Sequence, residues 1–207
     1  MGKIIIHKDI KQQTDEWYEI KKLKMSASHA NTIMAAGKGL ETYVNELVAE
    51  HFSTGERESY TNANMERGNL FEDQARTLYE LEKDCVVEQV GFIELEGGYV
   101  GVSPDGLVDE DGLVEIKNHS DRVFIELLLS QKIKKEYLDQ MQMQMFVSGR
   151  KWCDYMGYNP NIKPYKYIQR ILPCPEAFEK LESGLALGKK KLIETVEKIE
   201  EIANCKP

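Results

Sequence analysis

Cysteine is sparse in this chain and never closely paired: Cys85, Cys153, Cys174 and Cys205 are scattered, with no CxxC spacing. That argues against a zinc cluster or a disulfide framework, and it fits a reducing cytosol. Long apolar runs are also missing. No stretch of about 18 apolar residues occurs, so no transmembrane helix and no membrane partner are expected. The opening MGKIIIHKDIKQQ holds too short an apolar stretch to read as a secretory signal. Internal repeats, low-complexity segments and Pro/Gly-rich linkers are absent. With 207 residues, 42% of them hydrophobic, the expectation is one domain over 1–207 with a real core.

Positive charge is in deficit too. Asp and Glu number 35 against 27 Lys and Arg, a net charge of -8. On its own this weighs mildly against nucleic-acid binding, because lysine and arginine make the phosphate contacts. The basic residues that exist are clustered: Lys21, Lys22 and Lys24; Lys132, Lys134 and Lys135; Arg150 and Lys151; Lys189, Lys190 and Lys191. Read alone, each cluster is a solvated face before it is a binding patch. A site that holds a divalent cation would also make the formal charge too negative.

What is present reads as a mixed α/β chain. Lys3 to His7 suggests a short strand. Thr14 to Leu23 suggests a helix capped by Thr14 or Asp15, and Ser26-Ala27-Ser28 a cap for a second helix through Met34. Thr42 to Phe52 has helical period, Ser53 to Asn64 reads as a polar loop, and Met65 to Leu81 as a strong helix with Leu70, Phe71, Ala75, Leu78 and Tyr79 on one face. Strand character follows over CVVEQVGFIEL (85–95), Tyr99 to Val102, Leu107-Val108 and Leu113 to Lys117, with Asp111-Gly112 as a hairpin turn signal. Asp121 to Leu129 and Lys134 to Val147 read helical, then Lys151 to Tyr158 and Tyr165 to Leu172 extended. An amphipathic C-terminal helix closes the chain over 176–205. The order predicts one central sheet, mostly antiparallel, flanked by helices.

The acidic stretch GVSPDGLVDEDGLVEIKN (101–118) carries the chemistry. Glu115 and Lys117, two apart on a strand, share a face with Leu113, while Val114 and Ile116 point the other way. The turn near Glu110 and Asp111 returns Asp105 to the level of Glu115 or Ile116. Two carboxylates that close repel and call for a cation between them, and hard oxygen donors suit magnesium or manganese. A metal there could activate water and clamp a phosphoryl oxygen, with lysine orienting the water or steadying developing charge. A surface hairpin with a cross-strand Lys–Glu pair explains the same residues, and spacing alone does not choose between the two. An EF-hand reading fails for lack of the glutamate and the 12-residue ligand spacing.

SPDG followed by EIK resembles the PD-(D/E)XK nuclease signature. More narrowly, the chain resembles the phage lambda-type exonuclease family, the viral recombinase branch of that superfamily. EWYEIKKLKMSAS resembles its N-terminal motif, ERGNLFEDQAR its R-G-x-x-x-E helix, and YLDQMQMQMFVSGRKWCDYMGYNP its Tyr…Gln…Gln helix and following strand, in that order over about residues 12 to 175. The resemblance implies an α/β fold with a PD-(D/E)XK, restriction-endonuclease-like core. It implies Asp105 and Glu115 as metal ligands and catalytic groups, Glu72 and the carbonyl of Ile116 as further ligands, and Lys117 as the catalytic lysine. Gln140 would face the site, and Lys21, Ser28 and Ser103 would hold a DNA 5′-phosphate. Lys21 stands where the family often has arginine, a point charge in place of a bidentate fork.

Simpler readings stand beside these. Glu72 can pair with Arg76 at i,i+4, Ser28 can be a plain N-cap, and a helical glutamine such as Gln140 is often just solvated. Trp17 and the Met141, Met143, Met145 stripe read as packing.

The implied function is a Mg2+-dependent (Mn2+ possible) 5′→3′ exonuclease on double-stranded DNA ends. It would act in phage-type recombination beside a single-strand annealing protein, as a ring-shaped homotrimer in the cytoplasm of a bacterial host cell. Two alternatives are a structure-specific endonuclease or single-strand exonuclease on the same core, and a non-catalytic DNA-binding or phage structural module.

Overall fold

The computed structural model describes residues 2–54 and 63–204, with side chains of residues 63–70 outside that description. The polar loop expected from Ser53 therefore falls mostly outside it, as do the side chains of Arg67 and Leu70 and the last residue of the expected 176–205 helix. In chain order the elements are β1 (Ile4–His7), α1 (Asp15–Lys21), β2 (Met25–Ser26), a single 3-10 turn (Ala27–His29), α2 (Ala30–Ala35), α3 (Lys38–Phe52) and α4 (Ala63–Lys83). Then come β3 (Val87–Glu88), β4 (Phe92–Leu95), β5 (Val100–Val102), β6 (Gly106–Val108) and β7 (Gly112–Asn118). Last are α5 (Asp121–Ser130), α6 (Lys135–Ser148), β8 (Trp152–Tyr158), β9 (Lys166–Ile171) and α7 (Pro175–Asn204). Thr14 caps α1 by accepting from the Trp17 amide. Ser28 caps nothing: it lies inside the 3-10 turn, and His29 precedes α2.

Strand pairing departs from the single sheet expected. The described strands form a four-stranded sheet in the order β1-β4-β5-β2 and a five-stranded sheet in the order β3-β6-β7-β8-β9. The division falls inside CVVEQVGFIEL, which splits into β3 and β4 at Gln89-Val90-Gly91. Gly91 is the reason. A Cβ there would lie 2.0 Å from the Ile10 carbonyl oxygen, so only glycine lets the β1–α1 loop cross so closely. The Gly91 carbonyl is turned away from a ladder and accepts from Trp17 Nε1 and Ser103 Oγ. Two pairs are parallel, β2 with β5 and β7 with β8. The β7–β8 connection runs through α5 and α6, as a parallel crossover requires.

Strand β7 is buried on both faces. Leu113 enters the main core, which α2, α3, α6 and α7 build over the sheets with Ile33, Leu40, Val44, Met141 and Leu181. Val114 and Ile116 enter a second cluster with Ala75 and Tyr79 of α4. That helix is anchored by a buried polar contact: Tyr79 Oη donates to Asp154 Oδ2 at 2.8 Å, and Arg170 binds both Asp154 oxygens. Tyr79 lies two turns beyond Glu72 on the same helix, so the anchor also fixes where Glu72 stands. Met141, Met143 and Met145 are all fully buried packing residues.

Candidate active site

The β6–β7 hairpin positions the acidic residues. Gly106 pairs with Val114, which sets Asp105 one step further, beside Glu115. The turn between the strands uses Asp109 in the left-handed region, φ 48°. It is fastened by Arg150, whose Nη1 donates to the Asp109 carbonyl at 2.7 Å, and by Lys151, which pairs with Asp111 at 2.9 Å. That basic cluster is thus structural. Asp105 Oδ2 accepts from the Ile116 amide at 2.6 Å, an atom-level tie between the two strands of the signature.

Glu115 is 1% exposed and saturated with donors. Lys117 Nζ and Gln140 Nε2 both reach Oε1, the latter at 2.6 Å, and Gln144 Nε2 reaches Oε2 at 2.6 Å. Gln140 and Gln144 are one turn apart on α6, so both project from one side of the helix. Lys117 Nζ also lies 5.2 Å from the Tyr137 ring centroid. Glu72 stands across a cleft of about 530 Å³ that it lines together with Asp105, Gln12, Val90 and Gly91. The Glu72–Arg76 pair foreseen as the simpler reading is present at 2.7 Å, and Arg76 also binds Asp73. Gln12 fixes the cleft wall, donating to the Val90 and Pro104 carbonyls at 3.0 and 3.1 Å.

Electrostatics tie the carboxylates together. Burial, then the Glu115 charge and more weakly Glu72, push the Asp105 carboxyl well above the usual range, against the pull of Lys117. Burial also raises Glu72, with Asp73 and Glu115 adding to it and Arg76 opposing. Burial disfavours the Lys117 ammonium, but Glu115 and Asp105 outweigh it and hold its pKa above the ordinary value. Carboxylates that raise one another's proton affinity are a site short of positive charge. The donor set, with three carboxylates and the Ile116 carbonyl next to Glu115, is the hard oxygen type that suits magnesium or manganese. The side chains are not drawn into a ligand shell as they stand: among the described residues no three acidic, histidine or cysteine groups are gathered for an ion. Glu115 faces amide and ammonium donors instead.

The other expected group gathers around Trp17. Lys21 Nζ lies 3.6 Å from the Trp17 ring centroid, and Trp17 Nε1 donates to Ser103 Oγ at 2.9 Å. Trp17 is buried, as its packing role predicts, but its indole N–H also orders the serine. Ser28 Oγ lies 2.9 Å from Ser26 Oγ and 3.2 Å from His29 Nδ1. Parallel pairing of Ser26 with Gly101 delivers Ser28 and Ser103 from the same end of adjacent strands. Lys21 is close enough to His29 to add to the burial that lowers its pKa, against Glu46. The structure thus assembles two groups, Asp105–Glu115–Lys117–Gln140 facing Glu72, and Lys21–Ser103 beside Ser28. Sequence reasoning gave no role to Gln144, Gln12 or Tyr137, although the Tyr…Gln…Gln motif includes Tyr137 and a second glutamine, and Gln144 stands at i,i+4 from Gln140.

Comparison with known proteins agrees with this geometry. A sequence profile of the YqaJ-like viral recombinase domain matches residues 16–151. An alkaline exonuclease, LHK-Exo from Laribacter hongkongensis, is 31% identical over 92% of this chain and 98% of its own, with a TM-score of 0.82. Its complex with dAMP aligns equally well. A phage-related exonuclease from Haemophilus somnus 129PT shares the fold at 13% identity, with a TM-score of 0.62 over 87% of this chain and 98% of its own. A comparison with curated proteins found no match. With the profile covering more than half of its length and an exonuclease structure overlaying nearly all of it, the chain belongs to the YqaJ-like viral recombinase domain family, nucleases of the lambda-exonuclease type with a PD-(D/E)XK fold.

Proposed function

We propose that the protein is a magnesium-dependent exonuclease that degrades double-stranded DNA from its 5′ ends. The observation that carries this is the grouping of Asp105, Glu115 and Lys117 on one hairpin, with Asp105 opening onto a cleft that Glu72 also lines. Asp105, Glu115, Glu72 and the Ile116 carbonyl would hold Mg2+, with Mn2+ as a substitute. Bound there, the ion would supply an activated water and neutralise charge on the scissile phosphate. The protein's own groups do the rest. Lys117 orients the attacking water and steadies negative charge that develops on phosphate. Gln140 and Gln144 hold the Glu115 carboxylate in one rotamer, an orienting role that supports a metal ligand. Lys21, Ser28 and Ser103 receive the 5′-phosphate of the strand being cut, Lys21 as a point charge. LHK-Exo binds dAMP, and a 5′-mononucleotide is the product this reaction would release.

By the same reading the working unit is a ring-shaped homotrimer in the cytoplasm of a bacterial host, beside a phage single-strand annealing protein. Among the described residues no helix is long and apolar enough to cross a membrane. The test is digestion of a 5′-phosphorylated linear duplex with magnesium. Lys117→Ala should lose about 10²–10³-fold in rate, and chelation should stop the wild type. Digestion by the variant at the wild-type rate would remove the lysine from the chemistry. Ready cutting of closed circles, or equal loss of label from 3′ ends, would replace 5′-exonuclease action with an endonuclease or another polarity.

A further inference from the structure

A second, smaller cavity of about 160 Å³ opens between α5, α6 and the ends of β7 and β8. It is lined by His119, Ser130, Lys132, Lys134, Tyr137 and Tyr155, among others. We infer that it is a subsite for the backbone phosphate next to the one being cleaved on the same DNA strand; this rests on the nuclease reading above. Four observations carry it. First, the cavity adjoins the chemistry. Tyr137 stands between the two, with Lys117 Nζ 5.2 Å and Lys134 Nζ 5.6 Å from its ring centroid. A strand whose scissile phosphate meets Lys117 therefore carries its adjacent phosphate toward Lys134, on the same tyrosine.

Second, the cations at the rim are available. The loop that ends α5 turns sharply at Gln131, φ 51°, and carries Lys132 and Lys134 to the opening. Lys132 has no ion-pair partner among the described residues, and Lys134 has only a 3.6 Å contact with half-exposed Glu136. Third, the one acid on the wall is occupied: Glu126 Oε1 accepts from Arg122 Nη1 at 2.5 Å. Fourth, the floor is uncharged and rigid. His119 is buried and shares a 2.6 Å hydrogen bond with the Tyr155 hydroxyl, which leaves a neutral surface that sets off the two ammonium groups. The volume is below that of a drug-sized ligand pocket and suits a phosphate group rather than a whole nucleotide.

The experiment follows single-turnover release of the first mononucleotide from a linear duplex with one neutral methylphosphonate linkage, moved stepwise from the 5′ end. Wild type and Lys132→Ala/Lys134→Ala are compared; both lysines are exposed, so folding is not at stake. At the linkage next to the scissile one, the neutral group should raise the half-saturating duplex concentration of wild type about tenfold, the worth of a charge-assisted contact. It should leave the maximal rate unchanged and add nothing in the double variant. The variant should also lose up to about 0.9 from the salt slope for each phosphate contact removed. Inhibition by free deoxynucleoside monophosphate should be equal for the two proteins. Equal losses at every linkage, or a variant altered only in its response to free mononucleotide, would overturn the subsite. Release by wild type without position-specific coupling would sink this inference alone. No release at all would remove the exonuclease reading and the subsite with it.

Discussion

Glu115 shows most directly how single residues make this site. Its carboxylate is buried and takes donors from Lys117, Gln140 and Gln144. A buried charge is tolerable only when its lone pairs are met. Gln144→Leu removes the one donor to Oε2 among the described residues and should cost about 1.5–3 kcal/mol, the worth of a hydrogen bond to a charged group. Because a bound cation can replace that donor, the loss in thermal midpoint should shrink at saturating magnesium; an equal loss with and without metal would contradict the placement of magnesium at Glu115. The grouping of Asp105, Glu115 and Lys117 was legible in sequence because strand alternation and hairpin geometry constrain them, whereas Gln140 came from the family resemblance alone. Gln144 was not legible, because α6 is buried nearly all round and the Gln-Met alternation hides which glutamine meets Glu115. His119 offers a separate prediction. Burial, aided by Lys134 and Lys117, depresses its pKa from 6.5 to about 4. The unfolded chain takes up this proton near pH 6.5 and the folded chain only near pH 4, so the neutral ring contributes stability above pH 6.5 that is lost as pH falls toward 4. His119→Gln should flatten the acid side of the stability profile, with up to about one fewer proton taken up on unfolding near pH 5. Identical profiles by urea denaturation would refute the depressed value.

Elements place these residues through close backbone approaches that sequence patterns do not record. The number and order of helices were readable from period and caps, and so was the hairpin. The division into two sheets was not. CVVEQVGFIEL is uniformly strand-like, and what breaks it is the crossing of the β1–α1 loop over Gly91, a tertiary event between segments about eighty residues apart. Likewise nothing local tells that Tyr79 will reach Asp154 and fix the helix that carries Glu72. The packing of α2 on α7 gives a test at this scale. Gly184 lies in the middle of α7, where alanine is the better helix former by about 1 kcal/mol. Yet a Cβ there would stand 2.0 Å from the Ile33 carbonyl oxygen, a backbone atom that cannot swing aside. The clash outweighs the propensity, so Gly184→Ala should destabilise by about 1–3 kcal/mol net. It should also disturb Ser28, which leads directly into α2. Stability equal to or above wild type would show that the two helices are free to separate.

At the scale of the whole molecule, the proposed nuclease activity requires a chain of net charge -8 to meet a polyanion through local basic groups. The individual clusters go only part of the way. Lys151 and Arg150 fasten the hairpin turn, Lys24 pairs with Glu94, and Lys22 with Glu19. Lys8 and Lys11 line the cleft with Glu72 and Asp105, and Lys132 and Lys134 rim the smaller cavity. Four lysines thus border the cleft and the smaller cavity, one of them, Lys8, paired with Glu88. Closing several copies into a ring would turn these faces to a common lumen, where their potentials add. Exposed apolar side chains such as Leu129 and Leu172 do not decide the matter, since single ones are ordinary on soluble surfaces. Hydrodynamics does. Sedimentation equilibrium should give three times the chain mass of 23.8 kDa. Long linear duplexes should then be digested many nucleotides per encounter, with initial capture weakening steeply as salt rises and continued digestion changing much less. Salt screens the approach of a charged partner, but a strand already threaded through a closed ring cannot leave sideways. A monomer that still digests processively would separate processivity from the ring and place the grip on DNA in the Lys21 and Lys132–Lys134 contacts of a single chain.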